Sequence, residues 1–353
     1  MQAALPAVSL LHELLGLRVN ITGQESLARH TTLEVGGGAR YWTEITHEAD
    51  IPEALAWAEA QGVTAAVLGG GSNVLAGDDG YPGLVLHMAL AGQRETGAGR
   101  IEVAAGEDWD GFVAGCVARG WAGVECLSGI PGSVGATPVQ NVGAYGQEVA
   151  EAIVGARAWD RKAGAWVTLT NAECGFAYRS SRFNREDRGR FVITAVEFQL
   201  RPGGAATLRY PEVRRQFATD APSLLEVREA VRGLRRGKAM LLEPGMEDGR
   251  SAGSFFKNPV VDAEVAAALP PAAPRYKDGQ RVKLSAAWLI ENAGLHKGFQ
   301  LPGSHAALSR KHVLAIVNRG GATAVEIEAL ARHVQAVVSE RWKIRLEPEP
   351  VRL

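Results

Sequence analysis

The stretch Ser128–Glu148, SGIPGSVGATPVQNVGAYGQE, constrains the fold more than any other part of the chain. Its five glycines and two prolines exclude a regular helix or strand across it, and it carries no Lys or Arg. Ile130, Val134, Val139 and Val142 are interleaved with the glycines and predict burial. Buried irregular backbone must find hydrogen-bond partners. A pyrophosphate-like anion is one such partner, because a nest of N–H groups can hold it without a basic side chain. A glycine-rich surface loop is the alternative.

A chain of 353 residues exceeds one ordinary core, so two or three domains are expected. With 38 basic and 39 acidic residues there is no overall field to attract nucleic acid or an anionic membrane, and any anionic ligand must be met locally. Cys116, Cys126 and Cys174 form no CxxC pair, and an odd count argues for buried thiols in place of a disulfide framework. The eight histidines show no HxH or HExxH spacing, so no metal site is expected. The start of the chain lacks a basic region ahead of its apolar residues, and no apolar run reaches membrane-spanning length. A cytoplasmic protein is expected.

Along the chain, a short leading helix is followed by HTTLEVGGGARYWTEI, which reads as strand, glycine turn, strand. Asp50 is placed as the N-cap of IPEALAWAEAQG, with Gly62 past its end. VTAAVL then leads as a strand into Gly69–Asn73. That loop lacks the third glycine of a dinucleotide fingerprint and opens no helix, so a Rossmann reading fails. GLVLHM and IEVAAG predict strands, AIVGARAWD, AWVTLT and FVITAVEFQLR strands of a mostly antiparallel sheet, and DWDGFVAGCVARG a helix. A boundary is expected at Arg201–Gly204. Beyond it come the helices PSLLEVREAVRGLRRGK and SAAWLIENAG, with a surface excursion at Ala266–Pro274. A long final helix opens on a Thr323/Glu326 capping box, with Val325, Ile327, Leu330, Val334, Val337 and Val338 facing the core, and a strand over 344–353 follows.

Four clusters could carry chemistry. Arg179 lies in CGFAYRSSRFN, Ser254 in AGSFFKNP, and Glu347 and Glu349 close together in the terminal EPEP. Arg235, Arg236 and Lys238 sit beside Arg228 and Arg232. Taken singly, each also has an ordinary reading: a surface arginine, a turn serine, exposed strand-end carboxylates, and a helix with a wet basic side. No GxSxG elbow surrounds Ser254, which argues against a hydrolase nucleophile.

Read together, HTTLEVGG, LGGGSN, GIPGSVGATPVQNVGAYGQE, YRSSRF, GSFFKNP, AAWLIENAGLHKG and LEPEPV resemble the UDP-N-acetylenolpyruvoylglucosamine reductases, the flavoenzymes of bacterial peptidoglycan precursor synthesis. The segments occur in that family's order along nearly the whole chain. The resemblance implies an α+β fold, namely the FAD-binding architecture of the vanillyl-alcohol oxidase type with two α+β flavin subdomains and a separate α+β substrate domain. Residues 1–88 would form the first flavin subdomain, rejoined by the strand 344–353; 89–203 would form the second, and 204–343 the substrate domain. It implies non-covalent FAD held by Gly69, Gly70, Gly71, Ser72 and Asn73, and by Gly132, Ser133, Gly135, Ala136, Pro138, Asn141, Gly143, Ala144 and Tyr145. NADPH would be the co-substrate, using the sugar nucleotide's cleft in turn.

The implied reaction reduces UDP-N-acetylglucosamine enolpyruvate to UDP-N-acetylmuramate, with hydride passing from flavin N5 to the vinyl carbon. Arg179 and Glu349 would stabilise the enolate and Ser254 would protonate it. Tyr210 matches a tyrosine that one subgroup uses to cover the UDP portion. Arg235 and Lys238 match a pair near the diphosphate, and Asn258 and Gln300 match further substrate contacts. The implied partners are small molecules, with neither nucleic acid nor membrane, and the protein would act as a monomer. Departures from the family pattern are Pro350, inserted after Glu349, which leaves Glu347 as a substitute catalytic residue; Ser309, where a histidine is common; and the segment Ala266–Pro274, which has no counterpart. An FAD-dependent alcohol or sugar oxidase and a nucleotide-sugar binding module are the rival readings.

Overall fold

The computed structural model describes residues 19–353, so the expected leading helix lies outside the described residues. The chain divides into two compact units. One holds 19–25, Gly38–Gly71 and Tyr81–Arg235; the other holds Ser26–Gly37, Ser72–Gly80 and Arg236–Leu353.

In the first unit Tyr81–Met88 is the central strand of a parallel sheet, with Gly38–Ile45 on one side and Ala65–Leu68 on the other. The apolar run of Leu84, Val85 and Leu86 is fully buried, as a central parallel strand covered on both faces requires. The helix Asp50–Ala60 buries Ile51, Ala54, Trp57 and Ala58 in the same core as Leu84 and Leu86. Asp50 is its first residue, not the cap before it: the Asp50 carboxylate accepts the His47 N–H at 3.0 Å, closing the turn that precedes the helix.

The five-stranded antiparallel sheet follows the order Ala165–Thr170, Ile153–Asp160, Phe191–Gln199, Arg100–Ala104, Gln93–Gly97. Against it packs the helix Trp109–Ala118, opened by the Asp108 carboxylate, which accepts the Gly111 N–H at 2.7 Å. Trp109, Phe112 and Phe198 meet with ring centroids 4.8–6.0 Å apart and anchor the core. The turn at Arg201–Gly204 lies in this unit, with Arg201–Pro202 paired to Trp121–Ala122.

The second unit is built around the helix Ala324–Trp342, whose capping box joins Thr323 and Glu326. Ile327, Leu330, Val334 and Val338 are fully buried, but Val325 is 61% exposed. Standing two residues before Ile327, it faces about the opposite side of the helix. The strand expected over HTTLEV, residues 30–35, does not form. A 3-10 turn, Leu27–His30, leads into a tight turn in which the Glu34 N–H reaches the Thr31 carbonyl at 3.1 Å, and Leu33 and Val35 enter the core without a ladder partner. In the Ala266–Pro274 segment Ala267, Ala268, Pro270, Pro271 and Ala272 are exposed, as in a surface excursion, while Ala266, Leu269 and Ala273 are buried and anchor it, and the Arg275 guanidinium donates to the carbonyls of those three. Of the expected strand 344–353, Val351–Arg352 pairs parallel to Val74–Leu75 and Pro348 forms an isolated antiparallel bridge with Phe256; Pro348 and Pro350 cannot donate, so no longer ladder forms.

Candidate active site

Gly69–Gly71 and the stretch Ser128–Glu148 come together in the first unit. Gly70 donates its N–H to Ser133 Oγ at 3.3 Å, and a β-carbon on Gly70 would lie 2.7 Å from Gly132 Cα. One on Gly69 would run into Ser133 Oγ, and one on Gly135 into Ala105. Gly71 has φ +59°, a conformation open to glycine at little cost. Ser128, Val134 and Asn141 are buried, so the stretch is packed backbone, as expected, not a surface loop. Pro138 is buried as well, while Ala136 is exposed. Main chain stands where side chains would otherwise be, and neither stretch carries a cation. These residues therefore fit a flavin nucleotide whose pyrophosphate is met by N–H groups.

Arg179 is displayed on a two-residue hairpin. Ala177 and Ser180 exchange backbone hydrogen bonds of 2.9 and 3.0 Å, leaving Tyr178 and Arg179 at the tip. Arg179 has φ +51° at the position that type II turns usually give to glycine, a strain of about 1 kcal/mol. Its guanidinium donates to the Gly143 carbonyl at 2.5 Å and lies 5.4 Å from the centre of the Tyr178 ring. Asn141 ties the hairpin to the glycine stretch. Its amide nitrogen donates to the Ala177 carbonyl at 3.0 Å and to Glu148 at 2.7 Å, and its oxygen accepts the Ala150 N–H. That side chain is thus engaged in holding protein groups.

Gly143–Ala144 pairs with Gln147–Glu148 around Tyr145 and Gly146, which have φ +48° and +81°, the signature of a type I′ turn. The Tyr145 ring meets that of Tyr210 edge to face at 5.6 Å. Burial pushes the Tyr145 hydroxyl up to about 12, so it remains a phenol. Arg235 is 8% exposed and donates Nε–H to the Gly129 carbonyl at 2.9 Å, and burial lowers its pKa. Its basic neighbours have structural tasks. Arg228 and Arg232 both bind Asp110, and Arg236 binds Glu243. Burial opposes ionisation of Asp110, but Arg228, the Gly129 N–H and Arg232 outweigh it and hold the carboxyl below its usual range.

One buried network has no counterpart in the sequence reading. Glu125, fully buried, accepts the N–H groups of Gly123 and Thr207, each at 2.7 Å, and the Gln147 amide at 3.0 Å. Burial raises its pKa, but the Gly123, own-backbone and Thr207 N–H groups and Gln147 outweigh that and leave it lowered. The available signal was an acid set inside the apolar run AGVECL.

In the second unit the Ser254 and Glu349 segments form one ribbon. Glu349 donates its N–H to the Phe255 carbonyl at 2.8 Å, Phe256 bridges Pro348, and the Lys257 N–H reaches the Glu347 carbonyl at 3.0 Å. Gly253, just before Ser254, has φ +70°. Asn73 donates from its side chain to the Glu349 carbonyl at 3.1 Å and accepts the Val351 N–H at 2.9 Å, so it secures the ribbon from the other side. Glu349 is half-buried. The Glu347 side chain is 73% exposed and stands 3.9 Å from Lys257 Nζ. Asn258 accepts the Ala286 N–H at 2.9 Å and so caps a helix, Lys238 is half-buried, and Gln300 is exposed and bonds Ser304. Ser309 donates to the buried Asp248 at 2.8 Å and accepts the Lys311 N–H, a structural use for the residue at this departure. Burial drives the Cys116 and Cys126 thiols up to about 12 and that of Cys174 to about 11. Among the described residues there is no group of metal ligands and no helix long and apolar enough to cross a membrane.

Residues 39–170 match the FAD binding domain family, and residues 244–353 match the C-terminal domain of UDP-N-acetylenolpyruvoylglucosamine reductase. The chain is 49% identical to the UDP-N-acetylenolpyruvoylglucosamine reductase of Nocardia farcinica over 92% of its own length and 87% of that protein. It is 45% identical to that of Streptomyces coelicolor over 92% and 88%. A crystal structure of UDP-N-acetylenolpyruvylglucosamine reductase from Thermus caldophilus is 27% identical and superposes with a TM-score of 0.66, covering 95% of this chain and 98% of that one. The α+β flavin-binding fold, the glycine stretches and the matches agree: this chain belongs to the UDP-N-acetylenolpyruvoylglucosamine reductase family and is an FAD-dependent oxidoreductase.

Proposed function

We propose that the protein reduces UDP-N-acetylglucosamine enolpyruvate to UDP-N-acetylmuramate at the expense of NADPH, a step in peptidoglycan precursor synthesis. The observation that carries this reading is the ribbon joining the Ser254 segment to Glu349. It fixes the backbones of the two segments that carry a hydroxyl and a carboxyl group relative to each other, which favours controlled protonation. The names of the relatives support the choice of substrate.

When bound, FAD supplies the two-electron carrier that takes a hydride from NADPH and returns it to the vinyl group. The backbone of Gly69–Asn73 and of Gly132–Tyr145 would hold it. Hydride addition leaves negative charge on the adjoining carbon and its carboxylate. Arg179, held by its strained hairpin and by the Gly143 carbonyl, supplies the fixed cation for that charge. Ser254 Oγ gives its proton to the carbon. A serine is a weak acid, so the transfer succeeds only toward a strongly basic enolate at close range. Glu349 is the carboxyl group assigned to assist. Tyr210 covers the nucleotide, Arg235 and Lys238 meet the diphosphate, and Asn258 and Gln300 make further substrate contacts. The division into flavin segments 1–88 and 89–203 and a substrate segment 204–343 belongs to the same proposal.

The test separates the two half-reactions. Ser254→Ala is expected to be reduced by NADPH at close to the wild-type rate, but its flavin should regain colour at least about a hundredfold more slowly on addition of the enolpyruvyl sugar nucleotide. Equal slowing of both halves would show that Ser254 holds structure instead of a proton.

A further inference from the structure

Thr32 lies in HTTLEV, which did not form its expected strand, and the function proposed above makes no use of it. Its hydroxyl stands 2.7 Å from the Ser251 carbonyl oxygen and 3.4 Å from that of Ser72. A hydroxyl has one proton, so the shorter approach identifies Ser251 as its main acceptor. The residue is mounted rigidly. Leu33 and Val35 beside it are buried, and the Asn318 amide donates to the Leu33 and Glu34 carbonyls at 3.0 and 3.2 Å. Ser251 is 6% exposed and bridges Val317, and its own hydroxyl accepts the Gly253 N–H at 3.3 Å. Gly253, at φ +70°, then turns the chain into Ser254. Downstream, Phe255 is fixed at both its polar groups, with its N–H on the Leu314 carbonyl at 2.7 Å and its carbonyl on the Glu349 N–H at 2.8 Å. The approach to Ser254 thus has a fixed far side in Phe255 and a near side that depends on Ser251.

We propose that Thr32 is a positioning residue for the proton donor: by donating to the Ser251 carbonyl it sets the 251–253 turn, and through it the place of Ser254 Oγ. This rests on the assignment of Ser254 above. A weak acid depends on close approach, and a misplacement of about 1 Å costs on the order of a hundredfold in rate. Loss of the Thr32 hydroxyl therefore slows protonation without touching the acceptance of hydride from NADPH.

Thr32→Val keeps the side-chain shape and removes the donor. In the flavin-loaded protein it is expected to leave flavin reduction by NADPH within about twofold of wild type, while slowing reoxidation by the enolpyruvyl sugar nucleotide about ten- to a hundredfold. Thr32→Ser, which keeps the hydroxyl, should restore it. If Thr32 acts through Ser254, Thr32→Val/Ser254→Ala should be no slower than Ser254→Ala alone. Independently of turnover, hydrogen exchange of the protein without substrate should rise at 251–255 in Thr32→Val and stay unchanged in the helix Ala324–Trp342. Should the valine chain fail to hold flavin, Thr32→Ala carries the same expectations. Unchanged reoxidation, equal slowing of both half-reactions, fully multiplicative slowing in the double variant, or exchange rising throughout would each overturn the proposal. If wild-type flavin is not reoxidised by the sugar nucleotide, the functional reading fails instead, and the exchange comparison still decides whether Thr32 holds the turn.

Discussion

In the sequence Glu349 is the candidate and Glu347 its substitute, because Pro350 leaves the register open, and the two differ once folded. Glu347 points into solvent beside Lys257, while Glu349 is bonded through its backbone to Phe255 and Asn73. Glu349→Gln is expected to slow substrate-driven flavin reoxidation about a hundredfold, and Glu347→Gln to remain within about twofold of wild type, as measured by stopped-flow absorbance. The reverse order would move the catalytic carboxyl to Glu347. Glu125 makes a claim of another kind, about stability. Its pKa in the folded protein lies below its unfolded value of about 4.3, so the stability it contributes is complete above that value and is lost as pH falls through the folded pKa. In Glu125→Gln at least one donor loses its acceptor, at a cost of about 1–3 kcal/mol. The gap from wild type in urea unfolding should therefore be widest near neutral pH and shrink below about pH 4. A gap that does not change with pH would contradict the ionised, N–H-bound carboxylate. Arg179 was legible as a motif, but its positive φ was not, because backbone strain leaves no periodicity to read.

At the scale of elements, the glycine stretches work by close approach of main chain to main chain. Gly70→Ala places a methyl 2.7 Å from Gly132 Cα and should cost about 1–3 kcal/mol together with much of the flavin affinity. Gly115→Ala is the control: it lies within the helix Trp109–Ala118, a β-carbon there meets nothing within 4 Å, and a gain of about 0.5–1 kcal/mol is expected. Thermal unfolding and retained flavin absorbance check both variants, and equal behaviour would remove the special role given to Gly70. Periodicity identified the helices Trp109–Ala118 and Ala324–Trp342 and the long strands of the antiparallel sheet, because each buries a regular face. It misread Thr31–Val35, where an apolar alternation serves core packing without a ladder. Nor does periodicity show how Ala266, Leu269 and Ala273 anchor the largely exposed Ala266–Pro274 segment, where Arg275 meets their carbonyls.

Over the whole molecule, the family was legible because its motifs are spread along the chain, whereas contacts between segments distant in sequence leave no local pattern to read. Ser26–Gly37 and Ser72–Gly80 fold with the C-terminal part, and the first glycine loop is divided after Gly71. These memberships depend on packing partners far away in sequence, such as Leu33 and Leu75 in the core that holds Ile327. The pairing of the Ser254 segment with Glu349 is of the same long-range kind. In the proposed reaction this protein carries electrons from NADPH to an enolpyruvyl sugar nucleotide by way of FAD. The most direct test is the visible absorbance of the purified protein under anaerobic conditions, first with NADPH and then with UDP-N-acetylglucosamine enolpyruvate. A bound flavin is expected that NADPH bleaches and that regains its colour on addition of the sugar nucleotide with oxygen still excluded; protein without flavin, or colour that returns only when oxygen is admitted, would contradict the proposed reaction.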